Sequence, residues 1–346
     1  MERNGRYLRG VVAVAATLWI LIVARDVLIP FILALFIWFV VGAVSGLYKR
    51  ALAKFGLSYP VLSNIAAAAT IVLAVAGFAL LLVSSATDLA AGLPRYEQRL
   101  DTILAGAAER VGLDVAIRIS DLFAKIDLTQ TFFGLAGSAA GAMTSLIVLI
   151  AYIVFIDQEA GAANSKLAAL VAQPEKRAEI TSLMQGILHE IELYMGVRVV
   201  MGLVQAVPTY IALALVGVDA PGFWAIMIFC ASFVPTIGTL IGIVMPALMA
   251  LVQFDTLGPF LMVVSILLPV QLLASNLLEP ALLSRSMNVS PLAVFFGIFA
   301  GGALWGIVGA LIVVPVLAIC IIVFGRIPSM RPVAVLLSGD GRVETG

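Results

Sequence analysis

Between Asp255 and Arg326 the chain carries only two charged residues, Glu279 and Arg285, each set in strongly apolar sequence. They belong to the strip Gln271, Ser275, Asn276, Glu279, Pro280, Ser284, Arg285. A charge in such surroundings needs a partner, because an unpaired ion away from water is costly. Gln271, Ser275 and Glu279 step by four, which places an amide, a hydroxyl and a carboxylate on one face of a helix expected to end at Pro280. That face suits binding of a polar solute, or uptake and release of a proton at Glu279. The competing reading is an interfacial Glu279 and Arg285 pair at a helix end, facing headgroups and water.

A second constellation is Pro235-Thr-Ile-Gly238-Thr-Leu-Ile-Gly242-Ile-Val-Met-Pro246, in the middle of a 35-residue run without charge, Ala220 to Phe254. One crossing needs about 20 residues, so this run must bend. Proline removes a backbone donor and glycine permits unusual backbone angles, which predicts a broken helix. Broken backbone at membrane depth persists only where protein or a water-filled cavity satisfies it, and many transporters place substrate sites at such breaks. The alternative is a kinked helix whose glycines serve close packing. The last charge-free run carries Pro291, Gly297, Gly301, Gly302, Gly306, Gly309 and Pro315. It too exceeds one crossing, and a break near Gly301 to Gly306 or a steep tilt is expected.

Eight charge-free runs of 15 to 40 residues make up most of the chain. Hydrophobic residues are 62% and charged residues 12% of the sequence, and the mean hydropathy is +1.14. These values predict an all-α polytopic membrane protein of about eight transmembrane helices, near 7–24, 27–48, 60–86, 132–156, 198–217, 222–252, 257–278 and 292–324, with broken or re-entrant helices in the C-terminal half. Tyr7 to Ala24 reads as a retained first helix, since no small-residue cleavage site separates it from the next. The excess of Lys and Arg, sharpest at Lys49, Arg50 and Lys54, places both termini in the cytoplasm.

Two segments are too polar to span. Asp88 to Asp127 carries an apolar stripe, Leu89, Leu93, Tyr96, Leu100, Ile103, Ala107 and Val111, interrupted near Gly112; residues 157–197 carry another, Ile180, Met184, Ile187, Ile191 and Tyr194, running into the fifth span. The expected organisation is a three-helix scaffold at 1–86, a polar amphipathic extracytoplasmic insert at 87–131, a fourth span with a cytoplasmic amphipathic helix at 132–197, a transport core at 198–325 and a mostly disordered cytoplasmic tail at 326–346.

Balanced charge, 20 basic against 20 acidic residues, argues against nucleic acid as a partner. Cys230 and Cys320 give neither a disulfide framework nor a metal spacing, and the sole histidine, His189, has no second ligand. No catalytic, metal-binding or cofactor-binding residues are assigned. A G-x-x-x-x-G-K-[ST] loop, an H-E-x-x-H and a G-x-S-x-G are all absent, so the chain is not expected to be an enzyme and any work must draw on a gradient or a partner.

In order, Gly217-Val218-Asp219, Phe233-Val234-Pro235-Thr-Ile-Gly238, Leu251-Val252-Gln253-Phe254, Leu278-Glu279-Pro280, Pro291-Leu292 and Gly301-Gly302-Ala-Leu-Trp-Gly306-Ile-Val-Gly309 to Pro315 resemble the AI-2E family of transporters over roughly residues 190–325. The first half matches in layout. The resemblance implies a bacterial inner-membrane permease that exports a small polar solute such as autoinducer-2, and a homo-oligomer expected to be a pentamer. Sodium or lithium/proton antiport is the alternative known in that family, and a non-transporting membrane scaffold is a third possibility. Ser232 stands where many relatives have asparagine. With Asn276, Glu279 and Pro280 matching, the expected pathway and gating residues are Pro235, Gly238, Gly242, Pro246, Gln271, Asn276, Glu279, Pro280, Arg285, Gly302 and Gly306.

Overall fold

The computed structural model describes residues 12, 15–17, 19–54, 56, 60–111, 128–234, 237–283 and 288–342, and all regular structure among them is helical. A helical segment precedes a turn at Ala24. It is followed by α1 (Arg25–Ala53), α2 (Pro60–Val111), α3 (Leu128–Leu170), α4 (Pro174–Val216), α5 (Pro221–Ala231), α6 (Ile237–Gln253) and α7 (Leu257–Leu273). A π-helical turn, Ala274–Leu278, leads to α8 (Glu279–Leu283), then α9 (Pro291–Arg326) and α10 (Arg331–Leu337). Five stretches, Arg25–Ala53, Ile147–Leu170, Pro174–Val216, Leu257–Leu282 and Pro291–Arg326, are long and apolar enough to cross a bilayer, and Leu62–Gly77, Pro221–Ala231 and Leu240–Gln253 are shorter apolar helices. Large apolar side chains such as Leu73, Leu215 and Ile307 point outward. That inverts the soluble pattern and, with backbone groups satisfied inside helices, defines a polytopic helical membrane protein.

The chain divides into two units, each built from segments distant in sequence. One comprises Met1–Leu47, Ser145–Met195 and Arg285–Gly346, the other Tyr48–Thr144 and Gly196–Ser284. The segment expected as one core, 198–325, is therefore shared between them. The expected boundary at residue 86 falls inside α2, which continues to Val111 because its apolar stripe keeps helical spacing past the charges. Gly112 and the second half of that insert lie outside the described residues.

In the second unit the long run after α4 folds as a re-entrant hairpin. Gly217, at φ 81°, ends α4, and the amides of Gly217 and Val218 both return to the Leu213 carbonyl at 3.0 and 2.9 Å, a left-handed glycine cap. Ala220 is left-handed as well, at φ 53°, and hands the chain to Pro221 at the start of α5. At 1.5 Å per residue α5 is about 16 Å long and α6 about 25 Å, too short for two crossings. The two ends of the run meet instead. The Gln253 amide oxygen accepts the Asp219 backbone N–H at 2.7 Å, and its nitrogen donates to the Gly217 carbonyl at 2.9 Å and the Asp219 carboxylate at 3.1 Å. Tyr96 of α2 donates to the same carboxylate at 2.5 Å, and the Trp224 indole donates to the Asp219 carbonyl at 3.1 Å. The run thus enters and leaves on one face, where a single crossing near 222–252 was expected.

The first unit contains a second hairpin, hidden inside α9. Trp305 (φ −134°, ψ 18°) and Gly306 (φ 63°, ψ −141°) break the helix. The arms then close on each other: a Cβ on Gly309 would lie 1.9 Å from the Gly301 carbonyl oxygen, and one on Gly297 would lie 2.5 Å from Val313 Cγ1. The Trp305 indole at the tip donates to the Leu21 carbonyl at 3.0 Å. The expected break near Gly301 to Gly306 is present, and its form is a reversal.

The tail departs from the expected disorder. Residues Arg331–Leu337 are helical, the Ser290 amide donates to the Leu337 carbonyl at 2.8 Å, and the Asn288 side chain binds the backbone amides of Gly339 and Asp340 at 3.0 and 3.1 Å. The backbone N–H of Arg342, and after it the Asn288 amide, hold the Asp340 carboxyl below its ordinary range. A folded pKa below the unfolded one stabilises at higher pH, so this clasp weakens as pH falls through the carboxylate range. The tail lacks an apolar period yet is ordered by hydrogen bonds to the base of α9, which sequence patterning does not register.

Gly309→Ala is expected to cost about 3 kcal/mol or more in thermal unfolding of the detergent-solubilised protein, because its methyl group meets backbone. Gly302, with no atom within 4 Å of its Cβ position, should accept alanine neutrally or gain up to about 1 kcal/mol of helix propensity. Equal effects would contradict the closed hairpin.

Candidate functional site

The tip of the first hairpin is where backbone groups lose their helical partners. The α5 helix stops at Ala231, and Ser232 to Val234 turn before α6 begins at Ile237. Small residues let this tip sit close to its surroundings. A Cβ on Gly238 would lie 2.7 Å from the Ala231 carbonyl oxygen, and one on Gly202 of α4 would lie 2.8 Å from the Ser232 hydroxyl oxygen. Arg198 of α4 reaches the tip, donating to the Ser232 carbonyl at 3.1 Å, while its other terminal nitrogen contacts the Glu279 carboxylate at 2.8 Å. The Arg198 side chain is 4% exposed and that of Glu279 is 22% exposed. One guanidinium therefore bridges the broken backbone of the hairpin and a carboxylate just beyond α7 and its π turn, a task suited to arginine's rigid fork of donors.

Glu279 reaches Arg198 through an irregularity. Its backbone amide donates to the Ala274 carbonyl, five residues back, and the widened π turn makes room for Pro280, which lacks the amide that an α-helix requires next. The expected helix end at Pro280 is replaced by this bulge and the short helix Glu279–Leu283. The expected face is also split by environment. Gln271 is wholly buried, and neither end of its amide has a hydrogen-bond partner. It packs where a Cβ on Gly242 would be 2.8 Å from its nitrogen. Ser275 and Asn276 return their side chains to the carbonyls of Gln271 and Leu272, at 2.8 and 3.1 Å. Buried Gln205 of α4 likewise leaves its amide oxygen without a partner.

The structure thus brings together Gly238, Gly242, Gln271 and Glu279 with the hairpin. Pro246 lies inside α6 as part of a continuous helix, so the break has one proline boundary and not two. Pro235 and Arg285 lie outside the described residues, Asn276 is exposed, and Gly302 and Gly306 belong to the other hairpin in the first unit. Arg198 was missed by the sequence reading, which treated it as the charged edge of the fifth span. Its signal was available: it is the only charge between Glu192 and Asp219, as isolated as Glu279 and opposite in sign.

Re-entrant helical hairpins with buried polar groups at their flanks define a class of membrane protein that moves solutes. Comparison of the sequence with known families agrees, since the AI-2E family transporter description matches residues 11–329. The chain belongs to that family and is a membrane transporter. It is similar to the AI-2 transport protein TqsA of Escherichia coli K12, 28% identical over 91% of this chain and 90% of TqsA. It is also similar to the putative transport protein YhhT of the same strain, 26% identical over 93% and 90% of the two chains, and to a putative transport protein of Borreliella burgdorferi, 27% identical over 74% and 70%.

Removing one member of a buried ion pair strands the other, at about 3–5 kcal/mol. Arg198→Ala is expected to lower unfolding stability by that order, Glu279→Ala by less because water reaches its carboxylate, and Asn276→Ala by about 0.5 kcal/mol or less. Thermal unfolding of the three variants in one detergent checks the ranking.

Proposed function

We propose that the protein is a gradient-driven exporter of a small, uncharged polar solute of the autoinducer-2 kind, working in a bacterial inner membrane as a homo-oligomer, with a pentamer expected from the resemblance. The observation that carries this reading is Gln271. A fully buried amide with neither end partnered costs about 1–3 kcal/mol relative to a satisfied one, and in a membrane interior the natural remedy is a hydroxylated solute or water passing beside it. The adjacent tip supplies further backbone acceptors and donors. Two hairpins that each return to their face of entry leave an even number of crossings, which keeps both termini on one face. The basic turn at Lys49, Arg50 and Lys54 makes that face cytoplasmic.

Cation/proton antiport is the second reading, since Glu279 is a carboxylate beside broken helix. Its charge is already matched by Arg198 at 2.8 Å, which leaves no net negative site for a cation, so the solute reading is preferred. A sodium pulse that changes the internal pH of proteoliposomes without any organic solute would reverse that preference.

Two variants test the transport reading by flux of autoinducer-2 into or out of proteoliposomes. Gln271→Leu is expected to unfold at higher temperature, having lost an unpaired amide, and to transport at least about tenfold more slowly. Glu279→Gln is expected to slow flux by a similar factor, and equal transport by wild type and this variant would remove Glu279 from the mechanism. Flux that never exceeds protein-free vesicles, together with a co-purifying partner, would favour a scaffold instead.

A further inference from the structure

Arg198 holds two oxygens of different kinds. One is a carbonyl freed by the end of α5, the other a side-chain carboxylate carried by the π turn after α7. A plain counter-ion for Glu279 would have no need of the tip carbonyl, and a plain cap for the tip would have no need of a carboxylate. The bridge instead makes the position of the tip depend on an ion pair. Close packing brings Gly202, one turn along α4 from Arg198, against Phe229 and Ser232, so this bond is made where the tip is already seated. At the opposite end, the base of the hairpin is fixed by Gln253, Asp219, Tyr96 and Trp224. The hairpin is therefore tied at its base by hydrogen bonds from Gln253, Tyr96 and Trp224, and at its tip Arg198 joins the Ser232 carbonyl to Glu279.

We propose that Arg198 is a positioning residue, the latch that keeps the tip of the first hairpin closed, and that its release is the step that admits water and solute to the Gln271 amide. The proposal rests on the transport reading above for what passes, though not for the latch itself. Release exchanges the Ser232 carbonyl and Glu279 carboxylate for water or solute hydroxyls as partners, and no covalent step is involved. Glu279 then acts by holding the guanidinium in reach of the tip, which gives two charges set in apolar sequence a joint task.

A buried position in the tip can carry a reporter. Val234, two residues after Ser232, is 6% exposed, whereas the native thiols are too open to report on the tip: Cys230 is exposed and Cys320, in the first unit, is half-buried. The thiolate reacts with a charged methanethiosulfonate reagent only where water reaches it. In proteoliposomes carrying Val234→Cys with Cys230→Ala and Cys320→Ala, the introduced thiol is expected to react slowly with Arg198 in place and at least about tenfold faster with Arg198→Gln, the loss of one charge-assisted hydrogen bond. Arg198→Lys, a point charge without the fork, should fall between the two. A double variant, Arg198→Met with Glu279→Leu, removes both charges of the pair and is expected to fold well; the latch requires that labelling at position 234 nevertheless stays fast. Slow labelling in this double variant would make Arg198 a structural counter-ion only and overturn the latch. A parallel rise at Cys320, measured with Cys230→Ala and native Val234, would indicate general loosening and overturn it too. Because labelling needs no solute, flux at the level of protein-free vesicles would sink the transport reading while fast, Arg198-dependent labelling would still stand for the latch.

Discussion

Hydrocarbon offers no hydrogen bonds, and every reversal of the chain within it must find them in the protein. The two hairpins meet that demand in different ways, and most of what is distinctive in the structure follows. At the first tip an arginine supplies the missing donor to the Ser232 carbonyl. At the second, a φ of 63° at Gly306 turns the chain within two residues, and the Trp305 indole spends its donor on Leu21. Each solution needs a particular residue type: a forked cation in one case, a glycine and an indole in the other.

Satisfying the tip with a cation creates a second demand, since the cation must be neutralised. Glu279 does this, and placing it there requires the π turn, because Pro280 directly after it would break a regular helix. The irregularity after α7 is thus a consequence of the break between α5 and α6. A proline that looked like a helix end is tolerated because the backbone widens ahead of it. What remains unsatisfied includes Gln271, whose amide is without a hydrogen-bond partner at both its oxygen and its nitrogen.

Hydropathy made the membrane class, the helical content and the presence of two interrupted runs legible, because those depend on composition and on proline and glycine spacing. Reversal was not legible. A charge-free run longer than a crossing fits a kinked span and a hairpin equally, and the evidence that separates them is long-range, in the pairing of Gln253 with Asp219 and of Gly301 with Gly309. The role of Asp219 is illegible for the same reason: its partners Tyr96 and Gln253 are 123 and 34 residues away. Of the expected site, Glu279 and Gln271 stand out as polar among apolar neighbours, and the same criterion applied evenly also marks Arg198. Gly238 and Gly242 stood out as breakers, whereas their contribution is contact, with Ala231 and Gln271 lying where a methyl group would be.

The ties along the first hairpin are uneven, and the unevenness has a direction. Its base is closed by Gln253 donating twice and accepting once, by Tyr96 and by Trp224, and apolar packing of Leu89, Tyr96 and Val252 covers these bonds. Losing any one bond leaves the others in place, so opening there requires several to break together. The Arg198 tie at the tip ends on Glu279, whose side chain is 22% exposed, so that water can compete for the guanidinium. Local opening follows the smallest set of contacts that must be lost. It therefore starts at the tip and pivots on the base, the end of the hairpin where Ala220 already holds a left-handed angle. The second hairpin has no such weak end along its arms: the glycine contacts between Gly297 and Val313 are van der Waals contacts distributed over its length, and distributed packing yields as a whole or not at all.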